Sequence, residues 1–232
     1  MHRLIHFRLC PFSRSIRLLM AELKVDVEFF EEQPWALSRD FLSLNPAGDL
    51  PVLELDNGPP LCGAYAISEY FAETVDGHMY ERSTAPIIPG NHIERAEIRR
   101  LIDWFQRKLH GEAISHILEE RVYGAHRAGH GTGPDTGLLK LVRQNLRYHL
   151  SYIAHLAEQR NWLGGEHMSF ADLAAAAQLS SADYLGEIVW EERQAARDWY
   201  ARMKSRPSMR AILSERIPGT PAPPSYYADP DF

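Results

Sequence analysis

A stretch of ten residues, 44–53, constrains the fold of this chain more than any other, and it reads Leu-Asn-Pro-Ala-Gly-Asp-Leu-Pro-Val-Leu. Asn45, Pro46 and Gly48 form a cluster of turn-forming residues, and Pro51 then opens a short run with strand character. Proline is tolerated as the first residue of a strand, where it donates no ladder hydrogen bond. Such a proline is either an ordinary trans residue or a cis residue that the fold uses, because cis peptide bonds are almost confined to proline. The stretch alone leaves both readings open.

The residues around this stretch alternate between strand and helix patterns. Asp56-Asn57-Gly58 is a strong hairpin-turn signal, so the strands on either side of it are expected to pair antiparallel. A strand–helix–strand unit ahead of that hairpin predicts a mixed four-stranded sheet. Ser13 can cap the first helix. The predicted strands cover about residues 3–7, 27–31, 52–55 and 60–62, and the predicted helices cover about residues 13–23, 38–44 and 64–74.

Beyond residue 90 the periodicity is helical almost to the end of the chain. Asn91 and Glu94 form a capping-box-like start to the first long helix. Ser169 and Asp172 have the spacing of a second capping box, ahead of a nearly apolar run that predicts a helix buried on all sides. The predicted helices cover about residues 91–123, 136–159, 173–179 and 191–205.

The N-terminal order of elements, with Cys10-Pro-x-Ser13 before the first helix and Asn45-Pro-x-Gly-x-x-Pro51 before the third strand, resembles the glutathione S-transferase superfamily. The capping box at Ser169 resembles the one that opens the buried helix of that superfamily's C-terminal domain. The resemblance implies that Pro51 is cis and that the backbone of Leu50 is offered to the cysteinyl part of glutathione. It implies an α/β fold with a thioredoxin-like domain at 1–76, a linker at 77–89, an all-helical domain at 90–216 and a proline-rich tail at 217–232.

Cys10 is the candidate nucleophile. It lies at the predicted N-terminus of the first helix, where the helix dipole and the neighbouring Arg14 would favour the thiolate. Members of the superfamily with Cys-Pro-x-Ser or Cys-Pro-x-Cys at this point form a mixed disulfide between the cysteine and glutathione. The alternative is an inert cysteine that serves as a small packing residue.

Gly63 and Ala64 decide how well glutathione is expected to bind. The superfamily pattern, aligned on Ala66, Ile67 and Tyr70, puts a Glu-Ser pair at these two positions, and that pair binds the γ-glutamyl end of glutathione. Loss of partners for charged groups costs roughly 2–3 kcal/mol, or on the order of a hundredfold in affinity. We therefore expect weak glutathione binding or none, in a degenerate site, and no other cofactor.

Further motifs resemble a narrower group, the glutathione-transferase-like bacterial cell-division proteins. They are Glu-Glu-x-Pro-Trp at 31–35, Arg-Arg-Leu-Ile-Asp-Trp-Phe at 99–105, Arg-Tyr-His-Leu-x-Tyr-Ile at 147–153 and the terminal Tyr-Ala-Asp-Pro-Asp-Phe. The resemblance implies a non-catalytic homodimer that binds the tubulin homologue FtsZ and couples its filaments to septal cell-wall synthesis. Two alternatives stay open: a glutathione-dependent thiol transferase or glutathione S-transferase that uses Cys10, and a stress-type homologue that binds another small ligand.

Composition argues against several classes of partner and of location. A net charge of −6 argues against a nucleic-acid-binding protein, and no apolar run approaches the roughly 20 residues that span a bilayer. Two cysteines make no disulfide framework. We expect a cytoplasmic protein, at the division site if it binds FtsZ. His126 and His130 are four residues apart in a Gly-rich loop, without the tight ligand set of a metal site, so no metal is predicted.

Two segments carry candidate partner-binding residues. Trp35 follows Pro34 in a short charged loop, where it is either a core residue or, as exposed tryptophans often are, part of an interface. The tail contains four prolines between 218 and 224, which predict an extended course. It packs along its own domain or presents a recognition element of Tyr227, Asp229, Asp231 and Phe232. An exposed tail predicts that deletion of residues 226–232 changes the melting temperature by only a few degrees.

Overall fold

A computed structural model of the chain describes residues 1–76, 86–127, 133–190 and 193–227. The N-terminal part contains strands β1 (His2–His6), β2 (Val27–Glu31), β3 (Val52–Glu54) and β4 (Leu61–Cys62), and helices α1 (Pro11–Leu23), α2 (Arg39–Leu44) and α3 (Ala64–Asp76). The strand order is β2-β1-β3-β4. β1 pairs parallel with β2 and antiparallel with β3, which pairs antiparallel with β4. The predicted mixed four-stranded sheet is confirmed.

The remaining part is helical. α4 (His92–Asp103) continues into a π-helical segment, Trp104–Ile114, then into α5 (Ser115–Leu118), a second π-helical segment, Glu119–Tyr123, and α6 (Gly124–Arg127). The other helices are α7 (Thr136–Gln159), α8 (Phe170–Tyr184), α9 (Gln194–Lys204), α10 (Met209–Leu213) and α11 (Pro224–Tyr227). Within the ranges that the structure describes, no helix is both long and apolar enough to cross a bilayer.

Local patterns explain where these helices begin. Asn91 Oδ1 accepts hydrogen bonds from the backbone of Ile93 and Glu94, and the Glu94 carboxylate accepts one from the Asn91 N–H, as in a capping box. At α1 the sequence prediction is wrong, because Cys10 is the N-cap and Pro11 the first helical residue. Ser13 Oγ instead accepts the Phe7 N–H at 3.3 Å, so its hydroxyl fixes the end of β1.

Helix α8 lies at the centre of the molecule, and every one of its residues is buried. At its start, Asp172 Oδ2 accepts a hydrogen bond from the Ser169 N–H at 3.0 Å, which confirms the predicted capping box. The side of α8 that faces α1 carries two serines. Ser181 Oγ donates to the Leu9 carbonyl at 2.9 Å, and Ser180 Oγ accepts from Arg14 at 2.9 Å. These bonds fix the N-terminal sheet and α1 against the helical part.

The C-terminal tail packs against the helical part as far as residue 227. Tyr226 is fully buried, its ring contacts Tyr184 with centroids 5.0 Å apart, and its carbonyl accepts a hydrogen bond from Lys204 at 2.9 Å. The extended course predicted for the tail is therefore wrong at α11. Pro224 begins this helical turn, where its missing N–H has no intrahelical partner to lose and its fixed φ already suits a helix.

We expect the tail to contribute to stability through Tyr226. Deletion of residues 226–232 removes a buried aromatic side chain, a loss of about 3–5 kcal/mol, which lowers the melting temperature by on the order of 10 °C in a chain of this size. Deletion of residues 228–232 leaves Tyr226 in place and is the matched control, with a shift of only a few degrees. Thermal unfolding of both variants tests this, and equal melting temperatures would show that Tyr226 contributes little.

Candidate functional site

A cleft of about 510 Å³ lies between the N-terminal sheet domain and the composite helix over 92–127. On the N-terminal side it is lined by Cys10, Pro11, Phe12, Pro34, Gly48, Asp49, Leu50, Gly63, Ala64 and Tyr65. On the helical side it is lined by Gln106, His110, Ser115, Leu118, Glu119 and Tyr123. Four of the residues predicted from the sequence, Cys10, Leu50, Gly63 and Ala64, are thus brought together.

Cys10 is buried and its thiol is neutral. Its Sγ is 4.0 Å from the Leu50 carbonyl oxygen. Burial raises the pKa of the thiol above its ordinary value, and this effect outweighs the hydrogen bonds from Ser13 and Phe12 and the charge of Arg14, which lower it. The predicted thiolate is therefore wrong, because loss of solvent around the sulfur is stronger than the helix dipole and one nearby cation.

Arg14 lowers the pKa of Cys10 only slightly, because its guanidinium is bonded to other groups. The side chain is fully buried. Its Nε donates to the Arg8 carbonyl at 2.7 Å, its Nη1 to Ser180 at 2.9 Å, and its Nη2 lies 3.6 Å from Glu215. Arg14 thus joins the two parts of the molecule and contributes only weakly to the electrostatics around Cys10.

The peptide bond between Leu50 and Pro51 is cis, as the resemblance implies. The Pro51 carbonyl accepts the Gly63 N–H at 2.9 Å, so residues 51 and 63 lie side by side. Gly63 has φ +85°, a left-handed conformation that favours glycine, and a Cβ there would meet no atom within 4 Å. Gly63 and Ala64 place neither a carboxylate nor a hydroxyl at this end of the cleft.

The helical wall of the cleft was missed from the sequence. Five of its polar residues, Gln106, His110, Ser115, Glu119 and Tyr123, follow one another at spacings of four or five residues. In a regular α-helix with about 3.6 residues per turn, Tyr123 would point more than a quarter of a turn away from Gln106. The π-helical segments hold more residues in each turn, which aligns the five on one face. The spacing of four or five residues indicates a helix wider than an α-helix, and this signal was overlooked when a regular α-helix was predicted.

The protonation states of this wall follow from its contacts. His110 Nδ1 lies 3.1 Å from Gln178 Oε1, and with the Gln178 amide in this orientation Nδ1 is the donor and Nε2 an acceptor. Burial lowers the pKa of His110, which keeps the ring neutral. Burial also raises the pKa of Tyr123 well above its usual value, and the nearby Cys10 and Glu119 raise it further. The wall therefore presents neutral polar groups and one carboxylate.

Trp35 packs on its own chain beside the cleft. It is half-buried, stacks on His126 with ring centroids 4.1 Å apart, and contacts Phe7 edge-on at 5.2 Å. Its role in binding a partner stays a prediction. Among the residues that the structure describes, no group of three or more potential metal ligands is found. His130 lies outside the described residues.

Of the predicted tail residues, only Tyr227 lies within the described part of the chain. It is half-buried, with the Arg216 guanidinium 3.7 Å above its ring. The Arg216 carbonyl in turn accepts a hydrogen bond from Arg8 at 3.1 Å, so Tyr227 lies close to the residues that follow β1. Asp229, Asp231 and Phe232 lie outside the described residues.

Comparison with known proteins gives consistent matches. Residues 4–78 match the model of the glutathione S-transferase N-terminal domain, and residues 127–207 match that of the C-terminal domain. FtsZ-localized protein A of Caulobacter vibrioides is 40% identical over 230 residues, which is 98% of this chain and 96% of that protein. A crystal structure of a glutathione S-transferase from Sinorhizobium meliloti 1021 is 42% identical with a TM-score of 0.91, covering 98% of both chains. The structure of FzlA from C. crescentus is 38% identical with a TM-score of 0.88, covering 97% of both.

The effect of the missing Glu-Ser pair on glutathione affinity can be tested by restoring it at positions 63 and 64. We expect the natural protein to bind glutathione with a millimolar dissociation constant or not at all, and the double variant Gly63→Glu/Ala64→Ser to bind at least tenfold more tightly, by analogy with other charged hydrogen bonds. The left-handed φ at 63 should cost the double variant about 1–2 kcal/mol of stability. Calorimetry and urea unfolding measure both effects, with Ala64→Ser alone as the control. A micromolar dissociation constant for the natural protein would contradict the degenerate site.

Proposed function

Since the chain belongs to the glutathione S-transferase family, we propose that it uses this fold to bind a partner rather than to catalyse. In this proposal it is a homodimer that binds FtsZ filaments in the cytoplasm, at the division site, and links them to septal cell-wall synthesis. The observation that carries the proposal is the match over nearly the whole chain to a protein named FtsZ-localized protein A. The FzlA structure supports the same conclusion at a similar level of identity.

The state of the cleft supports a non-catalytic role. A thiol transferase needs a reactive thiolate, whereas burial raises the pKa of Cys10. A glutathione enzyme also needs to hold the γ-glutamyl end of its substrate, and Gly63 and Ala64 offer only a hydrogen atom and a methyl group there. The raised pKa of Cys10 weakens thiol chemistry, and the absent Glu-Ser pair weakens glutathione binding. Both defects lie in the same cleft.

Exposed apolar side chains support the homodimer. Tyr65 on α3 is 59% exposed, and on α7 Leu141 is 59% and Tyr148 is 58% exposed. These residues lie on the thioredoxin-like domain and on a long helix, the two surfaces that the family packs against each other in its dimers. A dimer carries two copies of any FtsZ-binding surface, and bivalent binding raises the effective affinity for a polymer.

A second candidate function is glutathione transfer or thiol transfer through Cys10. One specific observation favours it: the structure from Sinorhizobium meliloti, at 42% identity, is named as a glutathione S-transferase. Cys10 also lines the cleft together with Leu50, as that chemistry requires. Retention on immobilised glutathione separates the two candidates, because the binding protein should pass through the resin and the enzyme should not.

We expect the protein to be a dimer at micromolar concentration and to pellet with FtsZ filaments. The double variant Leu141→Asp/Tyr148→Asp places two charges on the proposed dimer surface and should give monomers by light scattering. Loss of bivalency should then weaken co-sedimentation by roughly tenfold or more. Val189→Asp, at another exposed apolar residue, is the control and should remain dimeric. A natural protein that is monomeric, or a dimer that does not pellet with FtsZ, would remove this mechanism.

We expect Cys10→Ser to leave the cellular function intact. A serine hydroxyl fits the space of the thiol and retains a donor near the Leu50 carbonyl. The free energy of unfolding should therefore change by about 1 kcal/mol or less. Complementation of a deletion strain measures the function, and a melting curve checks the fold. If the variant folds normally and fails to complement, a thiol mechanism is required.

A further inference from the structure

The charges that line the cleft do not match an anionic peptide. Two of the lining residues, Asp49 and Glu119, are acidic, and no lysine or arginine lines the cleft in the part of the chain that the structure describes. Arg14, on the first turn of α1, is buried against Ser180 and Glu215. Arg8, the cation nearest to Cys10 in sequence, is paired with Glu31. Glutathione carries two carboxylates and one ammonium group, so its net charge is opposite to the one that this cleft favours.

The helical wall offers hydrogen-bond acceptors beside the hydroxyl groups of Ser115 and Tyr123, and its one charged group is the Glu119 carboxylate. Gln106 Nε2 directs one N–H at Ser15 Oγ, 3.5 Å away, which leaves its second N–H and its amide oxygen for a ligand. His110 Nδ1–H donates to Gln178 at 3.1 Å, which leaves Nε2 as an acceptor. The strongest acceptor on this wall is therefore the Glu119 carboxylate, which favours a ligand with a positively charged donor.

Apart from Asp49, the side chains on the other side of the cleft are mostly apolar. Phe12, Leu50 and Leu118 line it, and Tyr65 and Tyr123 add aromatic rings, whose faces attract cations. A volume of about 510 Å³ is in the range of small-molecule sites, which reach from about 300 to 1,000 Å³. The space suits a compact aromatic or branched apolar group together with one polar head.

We propose that this cleft is a binding site for a small amphipathic cation, an aryl- or alkylammonium or amidinium compound, with its charged head at Glu119 and its apolar body against Phe12 and Leu118. The site is separate in chemistry from the FtsZ-binding role proposed above and does not depend on it. It also differs from a glutathione site, because the acidic lining selects against the carboxylates by which glutathione would be held.

Arg127 regulates the strength of this site. Its guanidinium donates to both carboxylate oxygens of Glu119, at 2.9 and 2.7 Å, and its own side chain is 52% exposed. The ligand thus shares Glu119 with Arg127 and gains only part of the interaction with that carboxylate. Removal of the arginine charge should strengthen cation binding, which a purely apolar site would not do.

Three probes of one shape and different charge test the proposal on the full-length protein. They are 1-naphthylmethylamine, which is cationic at neutral pH, the neutral 1-naphthalenemethanol and the anionic 1-naphthoate. Calorimetry should give at least about tenfold tighter binding of the amine than of the alcohol, and no measurable binding of the naphthoate, as for other charge-assisted hydrogen bonds. Added salt should weaken the binding of the amine alone.

Variants assign the preference to Glu119. Glu119→Gln should lower the affinity for the amine about tenfold and leave the alcohol unchanged, and Arg127→Gln should raise the affinity for the amine severalfold. Glu158→Gln, an exposed carboxylate on α7 outside the cleft, is the matched control. Equal binding of all three probes, no binding of any, or an unchanged affinity in Glu119→Gln would overturn the proposal. Preferential binding of the naphthoate would overturn it and also favour a glutathione-type site, whereas failure to pellet with FtsZ would leave it unaffected.

Discussion

Asp172 is fully buried, and its two carboxylate oxygens accept hydrogen bonds from separate parts of the chain. They come from the Leu163 N–H at 2.9 Å, the Ser169 N–H at 3.0 Å and the Trp199 indole at 3.1 Å. Burial raises the pKa of this carboxyl, and the hydrogen bonds oppose the rise. Because an unpaired buried carboxylate is costly, these bonds are required together, and they fix the start of α8 against the loop before it and against α9.

The position of α8 then determines the cleft. Its serines hold α1 through Leu9 and Arg14, and α1 carries Cys10 at its N-terminus. The composite helix packs on another side of α8, with Gln178 fixing the tautomer of His110. Both walls of the cleft are therefore held in place by the same buried helix, α8. This arrangement uses Arg14 for cohesion between the two parts, which keeps its charge from activating the thiol.

Sequence reasoning succeeded where the signal is local. The strand over 27–31, the helix over 136–159 and the capping box at Ser169 follow from periodicity and capping chemistry alone, and the structure has them at those positions. It failed where the outcome depends on packing. The pKa of Cys10 follows from its burial, which no spacing of residues encodes, and the helical turn at Pro224 depends on the pocket that receives Tyr226. The wall from Gln106 to Tyr123 was missed because a regular α-helix was assumed.

The π-helical winding of that wall has a consequence for how such a protein diverges. In a regular helix each residue turns the side chain by about 100°, so the five aligned residues depend on the extra residues held in the wide turns over 104–114 and 119–123. Loss of a single residue between Gln106 and Ile114 would tighten one turn and rotate everything after it. Glu119 and Tyr123 would then leave the cleft together while Gln106 stayed. Insertions and deletions, rather than point substitutions, are therefore the events by which related chains can exchange one set of cleft-lining groups for another in a single step.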